Sequence, residues 1–355
     1  MQSIRGELAG VEFDRATWTS FDRYNRYGGI ARCLRASLGP GTHRVLDIGD
    51  SAGYLRLFDT DLDVTSIDLS LTELPIAGTT RLRGDGTALP FPDQAFQAVV
   101  SSDVLEHVPG PQRPAFLAEL HRVTDDLLIV AAPFDTPGVA GVEELIRRYA
   151  LLATGQPQEQ LDEHRDNVLP DLEDTAAAVR SHFGEVSVRG NGNLQDWLVM
   201  MLLKHQLMAR PALQPLLDGS DILYNLTLAG RDDVGPFYRH LVAARRSGEV
   251  AFGFPPERGG SLDAAVVLGA LVDANLSEVV RQDTVPRLDD LLARATVQQD
   301  QLRQASDTQA ALVARLESVE AALADVQGLL HRLVKPLQIM RHPLRRTAAP
   351  PDAEG

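Results

Sequence analysis

The stretch Val45-Leu46-Asp47-Ile48-Gly49-Asp50-Ser51-Ala52-Gly53 constrains this chain more than any other. Apolar residues run into an acid and then into a glycine-bearing turn. A buried parallel strand ends in this way when the following turn must wrap a small ligand. Asp47 closes the strand, Gly49 and Gly53 let the backbone come close, and a short helical run from Tyr54 to Phe58 follows. The N–H groups at the start of that helix would face a polar ligand. The same turn can serve a dinucleotide, but the dinucleotide fingerprint needs a further glycine at a spacing this turn does not reproduce.

Three more segments repeat the pattern of an apolar run ending in polar groups. Val64-Thr-Ser-Ile-Asp68 is β-branched and ends in an acid about 20 residues after Asp47, a separation that suits an acceptor for two ribose hydroxyls. The other reading of Asp68 is a helix cap with the helix starting at Leu69. A short strand ends at Gly84, which puts Asp85 at the rim, with Gly86 allowing close approach and Leu89-Pro90-Phe91 offering apolar surface to a ring. The other reading is an ordinary solvated turn. Phe96 to Ser101 is a central parallel strand, followed by Ser102-Asp103-Val-Leu-Glu106-His107. Polar groups just past such a strand are where chemistry belongs, and His107 titrates near neutrality when unperturbed. It reads as a general base or substrate-orienting donor, or as a helix-start histidine that shapes the pocket. Phe116, Leu117, Leu120 and Val123 make a helix, and Leu127 to Ala132 a fifth strand. The alternation predicts an α/β, doubly wound, mostly parallel sheet.

Bulk properties narrow the function. A net charge of −15 over 355 residues argues against a nucleic-acid partner. The single cysteine, Cys33, excludes an internal disulfide and suits a reducing compartment. The N-terminus lacks a secretory pattern, and the longest apolar run, Ala264 to Val272, is too short to cross a bilayer. Cytoplasmic localisation is expected. Neither a Cys/His cluster nor acids at metal spacing stand out, so no metal is expected.

Residues of about 20 to 230 resemble a class I S-adenosylmethionine-dependent methyltransferase (type 11/23-like). The resemblance is carried by Val-Leu-Asp47-Ile-Gly49-Asp-Ser-Ala-Gly53, then Ser-Ile-Asp68, then Gly-Asp85-Gly-Thr-Ala-Leu-Pro-Phe-Pro-Asp93-Gln-Ala-Phe, then Ser-Ser-Asp103-Val-Leu-Glu106-His107-Val. It implies a seven-stranded Rossmann-like sheet and S-adenosylmethionine as cofactor. Asp47, Gly49 and Gly53 would line its methionine part and Asp68 its ribose. Asp85 and Gly86 would meet the adenine, while Ser102 and Asp103 would face the sulfonium. His107 would serve as base toward a hydroxyl acceptor. The family turn reads Asp-x-Gly-x-Gly-x-Gly. Ser51 stands here at the middle glycine and Asp50 where a small or apolar residue is common. A catalytically weak head acting as an oligomeric scaffold is therefore the alternative to an active enzyme.

Other segments carry further expectations. Near residue 24, aromatics alternate with arginines in a helix expected over about 12–38. Tyr24 or Tyr27 there either closes over a ligand whose carboxylate meets Arg26, or packs on the sheet. The polar stretch of 162–174, in a substrate-side insertion of about 137–221, resembles bacterial methyltransferases encoded among surface-polysaccharide functions. His164 and Asp171 are substrate candidates there, an ordinary loop and helix cap being the other reading. The acceptor implied is a small molecule or glycan, such as a sugar hydroxyl in polysaccharide or glycolipid biosynthesis. Leu223 to Ala229 reads as the last strand, and residues 231–285 as a helical annex.

From Leu288 to Leu337 apolar residues keep alternating steps of three and four, interrupted by Gln298 and Gln309. This is the heptad register of a coiled coil over 286–337, and it implies a homo-oligomer. At the end of the coil, Arg332, Lys335, Arg341, Arg345 and Arg346 alternate with apolar residues. That pattern suits peripheral contact with an anionic membrane face or an acidic partner, and a disordered tail follows it.

Overall fold

The computed structural model describes residues 6–8, 11–13, 16–209, 214–253, 318–325 and 328. The chain divides into two units, 1–277 and 278–355. In the second unit the described residues are helical. Most of the expected coiled coil, and all of the basic end, lie outside the described residues.

The first unit opens with a hairpin of β1 (Gly6–Leu8) and β2 (Val11–Phe13). The α1 helix (Phe21–Leu38) begins only after it, so the helix expected from residue 12 is shorter at its start. Then come β3 (Arg44–Ile48), α2 (Leu55–Phe58), β4 (Asp63–Asp68), β5 (Thr80–Arg83), β6 (Phe96–Ser102), α3 (Arg113–Val123) and β7 (Thr124–Pro133). The chain continues through α4 (Val139–Thr154), α5 (Glu159–Asn167), α6 (Leu172–Phe183), β8 (Ser187–Asn193), α7 (Leu194–Met208), α8 (Gln214–Thr227) and β9 (Phe237–Arg245).

Seven strands form one sheet in the order β5-β4-β3-β6-β7-β9-β8. The first five are parallel to one another, and β9 runs antiparallel to both β7 and β8. Side chains alternate between the two faces of a strand, and β3 shows the consequence. Leu46 and Ile48 join a core with Phe116, Leu120 and Val123 of α3. Val45 joins a second core with Tyr27, Ile30 and Leu34 of α1. A strand buried on both faces must be apolar along its length, which is why Asp47, fully buried, stands out.

Three sequence expectations are corrected. Leu223 to Ala229, read as the last strand, belongs almost wholly to α8. Its apparent alternation hid a helical spacing, since Leu217, Ser220 and Tyr224 of α8 are buried at steps of three and four. The last strand is instead β9, inside the segment expected to be a helical annex from residue 231. Arg239 and His240 interrupt its apolar run and disguised it. Finally, no helix starts at Leu69, because β4 is followed by irregular chain up to β5.

Candidate active site

Parallel strands bring their carboxyl ends to one edge, and the register here does so closely. Asp47 lies opposite Ser66 of β4 and Val100 of β6. Gly49 donates its N–H to Ile67 (2.9 Å), and Gly84 donates to Asp68 (3.0 Å). Asp47, Asp68, Asp85, Ser102 and Asp103 therefore follow one another along a single edge, at the ends of β3, β4, β5 and β6. This is where open α/β sheets bind ligands.

The glycine turn is built by Asp50. Its carboxylate accepts the N–H groups of Ala52 (2.7 Å), Gly53 (2.9 Å) and Tyr54 (2.6 Å). The residue that departs from the family pattern thus fixes the shape of the turn. Gly49 (φ 86°) and Gly53 (φ 93°) hold the left-handed conformation that side chains disfavour. A Cβ on Gly53 would lie 2.1 Å from the Thr79 hydroxyl. Ser51 is not in that region of backbone space, so a side chain is accommodated there without strain. Its carbonyl accepts from Arg81 (2.7 Å), which also reaches the carbonyl of Glu73 (2.6 Å). These contacts tie the turn to the chain after β4.

Asp47 is 0% exposed, and neither of its carboxylate oxygens has a hydrogen-bond partner among the described residues. Burial, and then the nearby Asp50 charge, push its carboxyl well above the usual carboxylate range. Asp68 is half-buried and accepts the N–H of Ser70 (2.7 Å) through one oxygen, as an Asx turn rather than a helix cap. Asp85 is exposed, and one of its oxygens accepts both the N–H and the hydroxyl of Thr87 (2.8 Å each). Gly86 packs so closely on Phe116 that a Cβ would sit 2.5 Å from its ring. The Ser102 hydroxyl is buried and has no hydrogen-bond partner among the described residues.

Asp103 differs from its expected place. Its φ of 51° is unusual for a residue with a side chain, and both its oxygens are taken. Arg239 pairs with them at 3.1 and 2.8 Å, and Arg26 approaches at 3.1 Å. Arg239 is fully buried, also pairs with Asp22 (2.8 Å) and donates to the Asn25 amide oxygen (2.9 Å). Arg26 is therefore engaged within the protein, and Tyr27 lies in the core against Tyr54. Arg239 escaped sequence reasoning; the only signal was an arginine inside the apolar run of β9.

His107 and His164 are brought together from segments far apart. His107 Nδ1 lies 2.7 Å from Glu163, and its Nε2 lies 3.3 Å from His164 Nε2. Burial, then the nearby His164, lower the pKa of His107 below the usual histidine range. His164 is buried on α5, its Nδ1 3.0 Å from Glu143. Asp171 is not among these groups. It is exposed and caps α6, accepting the N–H of Asp174 (2.8 Å). Asp171→Ala is expected to cost about 1 kcal/mol of folding stability in denaturant titration and to leave ligand binding unchanged.

Residues 37–126, which span the edge from β3 to β6, match a family model described as a methyltransferase domain. A demethylmenaquinone methyltransferase of Renibacterium salmoninarum is 35% identical over 122 residues, covering 32% of this chain and 50% of that protein. An uncharacterized methyltransferase of a Mycobacterium species is 35% identical over 92 residues, covering 24% of this chain and 36% of its own. The chain thus spans half or less of the length of these curated relatives. A phosphoethanolamine N-methyltransferase 2 of Haemonchus contortus, solved with S-adenosyl-L-methionine, is 18% identical with a TM-score of 0.40, covering 62% of this chain and 52% of that one. That likeness is too slight to bear on function. Over residues 37–126 the chain is thus similar to a methyltransferase domain.

Proposed function

We propose that this protein transfers a methyl group from S-adenosylmethionine to a hydroxyl of a small-molecule or glycan acceptor. The observation that carries the reading is Asp47, a buried carboxylate at the end of β3 without a hydrogen-bond partner among the described residues. A buried charge needs compensation, and a ligand bearing a sulfonium and an ammonium offers it. The residues at this edge fit such a cofactor. Asp47, Gly49 and Gly53 would line its methionine part. Asp68 keeps one oxygen for the ribose hydroxyls. Asp85 and the backbone of Gly86 would meet the adenine, and the Ser102 hydroxyl would face the sulfonium. Asp103, held by two arginines, would shape that end of the crevice without lending a free charge.

When bound, S-adenosylmethionine supplies an electrophilic methyl group on sulfur. The protein's own work is to align the acceptor with that methyl and exclude water, which accounts for much of the acceleration in such reactions. His107 follows Ser102 in the chain and lies next to His164, and the acceptor would approach on their side.

A sugar hydroxyl is favoured by the resemblance of the polar stretch around His164 to methyltransferases of surface-polysaccharide functions. The curated relatives' name introduces demethylmenaquinone as a competing acceptor. Incubating the full chain with methyl-labelled S-adenosylmethionine, sugar-nucleotide and glycolipid intermediates, and demethylmenaquinone separates the two. Label on a sugar oxygen is expected, and label on demethylmenaquinone alone would replace the glycan reading. The heptad stretch of 286–337 would join copies of the chain, and the basic residues at its end would hold the assembly near an anionic surface.

A further inference from the structure

Three side chains that the methyl-transfer reading leaves without a defined task meet beside the sheet edge. Glu106 follows β6, His107 is its neighbour, and His164 comes from α5. One ligand atom from each lies within 4.8 Å of the others. Glu106 is 0% exposed, and neither of its oxygens has a hydrogen-bond partner among the described residues. A fully buried carboxylate in that state costs several kcal/mol unless something positive meets it.

The orientation of the two imidazoles is more specific than their proximity. His107 directs Nδ1 at Glu163 (2.7 Å), and His164 directs Nδ1 at Glu143 (3.0 Å). An ionised carboxylate only accepts, so each Nδ1 carries its hydrogen. In neutral imidazoles both Nε2 lone pairs are then left facing each other at 3.3 Å. Two lone pairs at that distance repel unless a cation sits between them. With metal–nitrogen bonds of about 2.0–2.1 Å, two ligands of a tetrahedral ion stand roughly 3.3–3.4 Å apart. The Nε2 atoms already have that separation. Glu106 Oε1 is 3.9 Å from His164 Nε2 and needs only a small side-chain rotation to close a third position.

The outer groups match as well. Metal-bound histidines usually donate their other N–H to a carboxylate, which fixes the ring. Both histidines here have such a carboxylate. Glu143 is itself 5% exposed and accepts the Tyr238 hydroxyl (2.9 Å). The groups that orient the histidines thus come from α4, α5 and β9.

We propose that Glu106, His107 and His164 bind one divalent transition-metal ion, with Glu143 and Glu163 orienting the histidines. Two nitrogens and one carboxylate suit zinc, with cobalt or manganese as substitutes, and three protein ligands leave a position open. Its place past the end of β6 gives that position to an oxygen of the acceptor. This last role rests on the methyl-transfer reading, whereas ion binding itself does not. It also replaces the sequence expectation of a metal-free site, which could not register ligands 57 positions apart. His107 becomes a ligand rather than a general base.

The test uses the full, untagged chain after treatment with a chelator. Titration with zinc chloride in a calorimeter is expected to show one ion per chain, and cobalt loading should give the intense visible bands of a four-coordinate ion. His164→Ala and Glu106→Gln should abolish both signals. Glu143→Gln should weaken zinc roughly 10–100-fold. S-adenosylmethionine binding, measured on each variant, should be retained and thereby reports an intact fold. Absence of zinc binding in the wild type, or unchanged affinity in His164→Ala, would overturn the metal site. Cofactor binding that persisted in that case would leave the methyl-transfer reading standing. Zinc bound without any cofactor binding would sink the methyl-transfer reading alone.

Discussion

Replacing Arg239 by methionine is expected to destabilise the first unit by about 3–5 kcal/mol, the cost of removing one member of a buried ionic cluster. Arg239 is fully buried and faces two carboxylates, Asp103 and Asp22. Methionine would fill much of the space and leave both acids without their main partner. Arg26 approaches Asp103 at 3.1 Å but cannot replace a bidentate pair. Trp197 reports directly on the cluster, since its indole N–H donates to Asp22 (3.0 Å) and its ring stacks on Tyr238. Urea unfolding followed by tryptophan fluorescence would read the change.

The pH dependence gives an independent check. Burial alone would raise the Asp22 carboxyl, but the charges of Arg239 and Arg26 bring it below the usual carboxylate range. A carboxyl depressed in the folded state adds stability above its unfolded pKa and loses it as the pH falls through the folded value. Wild-type stability should therefore drop as the pH goes below about 4. Arg239→Met should lose part of that acid-side drop, because less of the depression remains. A variant within about 1 kcal/mol of wild type at neutral pH, with the same acid-side slope, would show that the cluster is not structural.

Asp47→Asn is expected to move stability and binding in opposite directions. The Asp47 carboxyl is pushed well above its usual range, first by burial and then by Asp50. For an acid raised in this way, the folded state resists ionisation, and stability falls as the pH rises above the unfolded pKa. Asparagine removes that penalty, so the variant should unfold at higher urea than wild type at neutral pH. It also removes the charge that faces the cofactor. Hydrogen bonds to charged groups are worth about 1.5–3 kcal/mol, so S-adenosylmethionine should bind roughly 10–150-fold more weakly. A site that holds strain for function shows this combination. If the variant bound the cofactor as tightly as wild type, Asp47 would be no more than a buried acid of the sheet.

Much of this site was legible because its signals are local. The strand-acid-glycine pattern around Asp47 specifies both an element and its end, and Asp68 and Asp85 repeat it. In a parallel sheet those ends must come to one edge, so order along the chain became order in space. The alternation of strands and helices likewise gave the sheet up to β7. Beyond it the signals weaken. The Leu223 to Ala229 run satisfied a strand pattern and a helix pattern, and packing of Tyr224 and Leu217 decided for the helix. Arg239 was hidden for a different reason, since its partners lie 136 and 217 positions away. Nothing local marks an arginine that will be buried between them. His107 and His164 were each singled out, but their meeting depends on how α5 packs against the loop that follows β6. Asp171 drew notice through its polar surroundings and proved to be a cap.

The most direct measurement is calorimetric titration of the full chain with S-adenosylmethionine, beside Asp47→Asn under the same conditions. One cofactor per chain at micromolar affinity, weakened in the variant, is the expected result. No heat of binding at millimolar cofactor with a folded wild-type chain would contradict it, and the carboxylate edge would then have some other ligand.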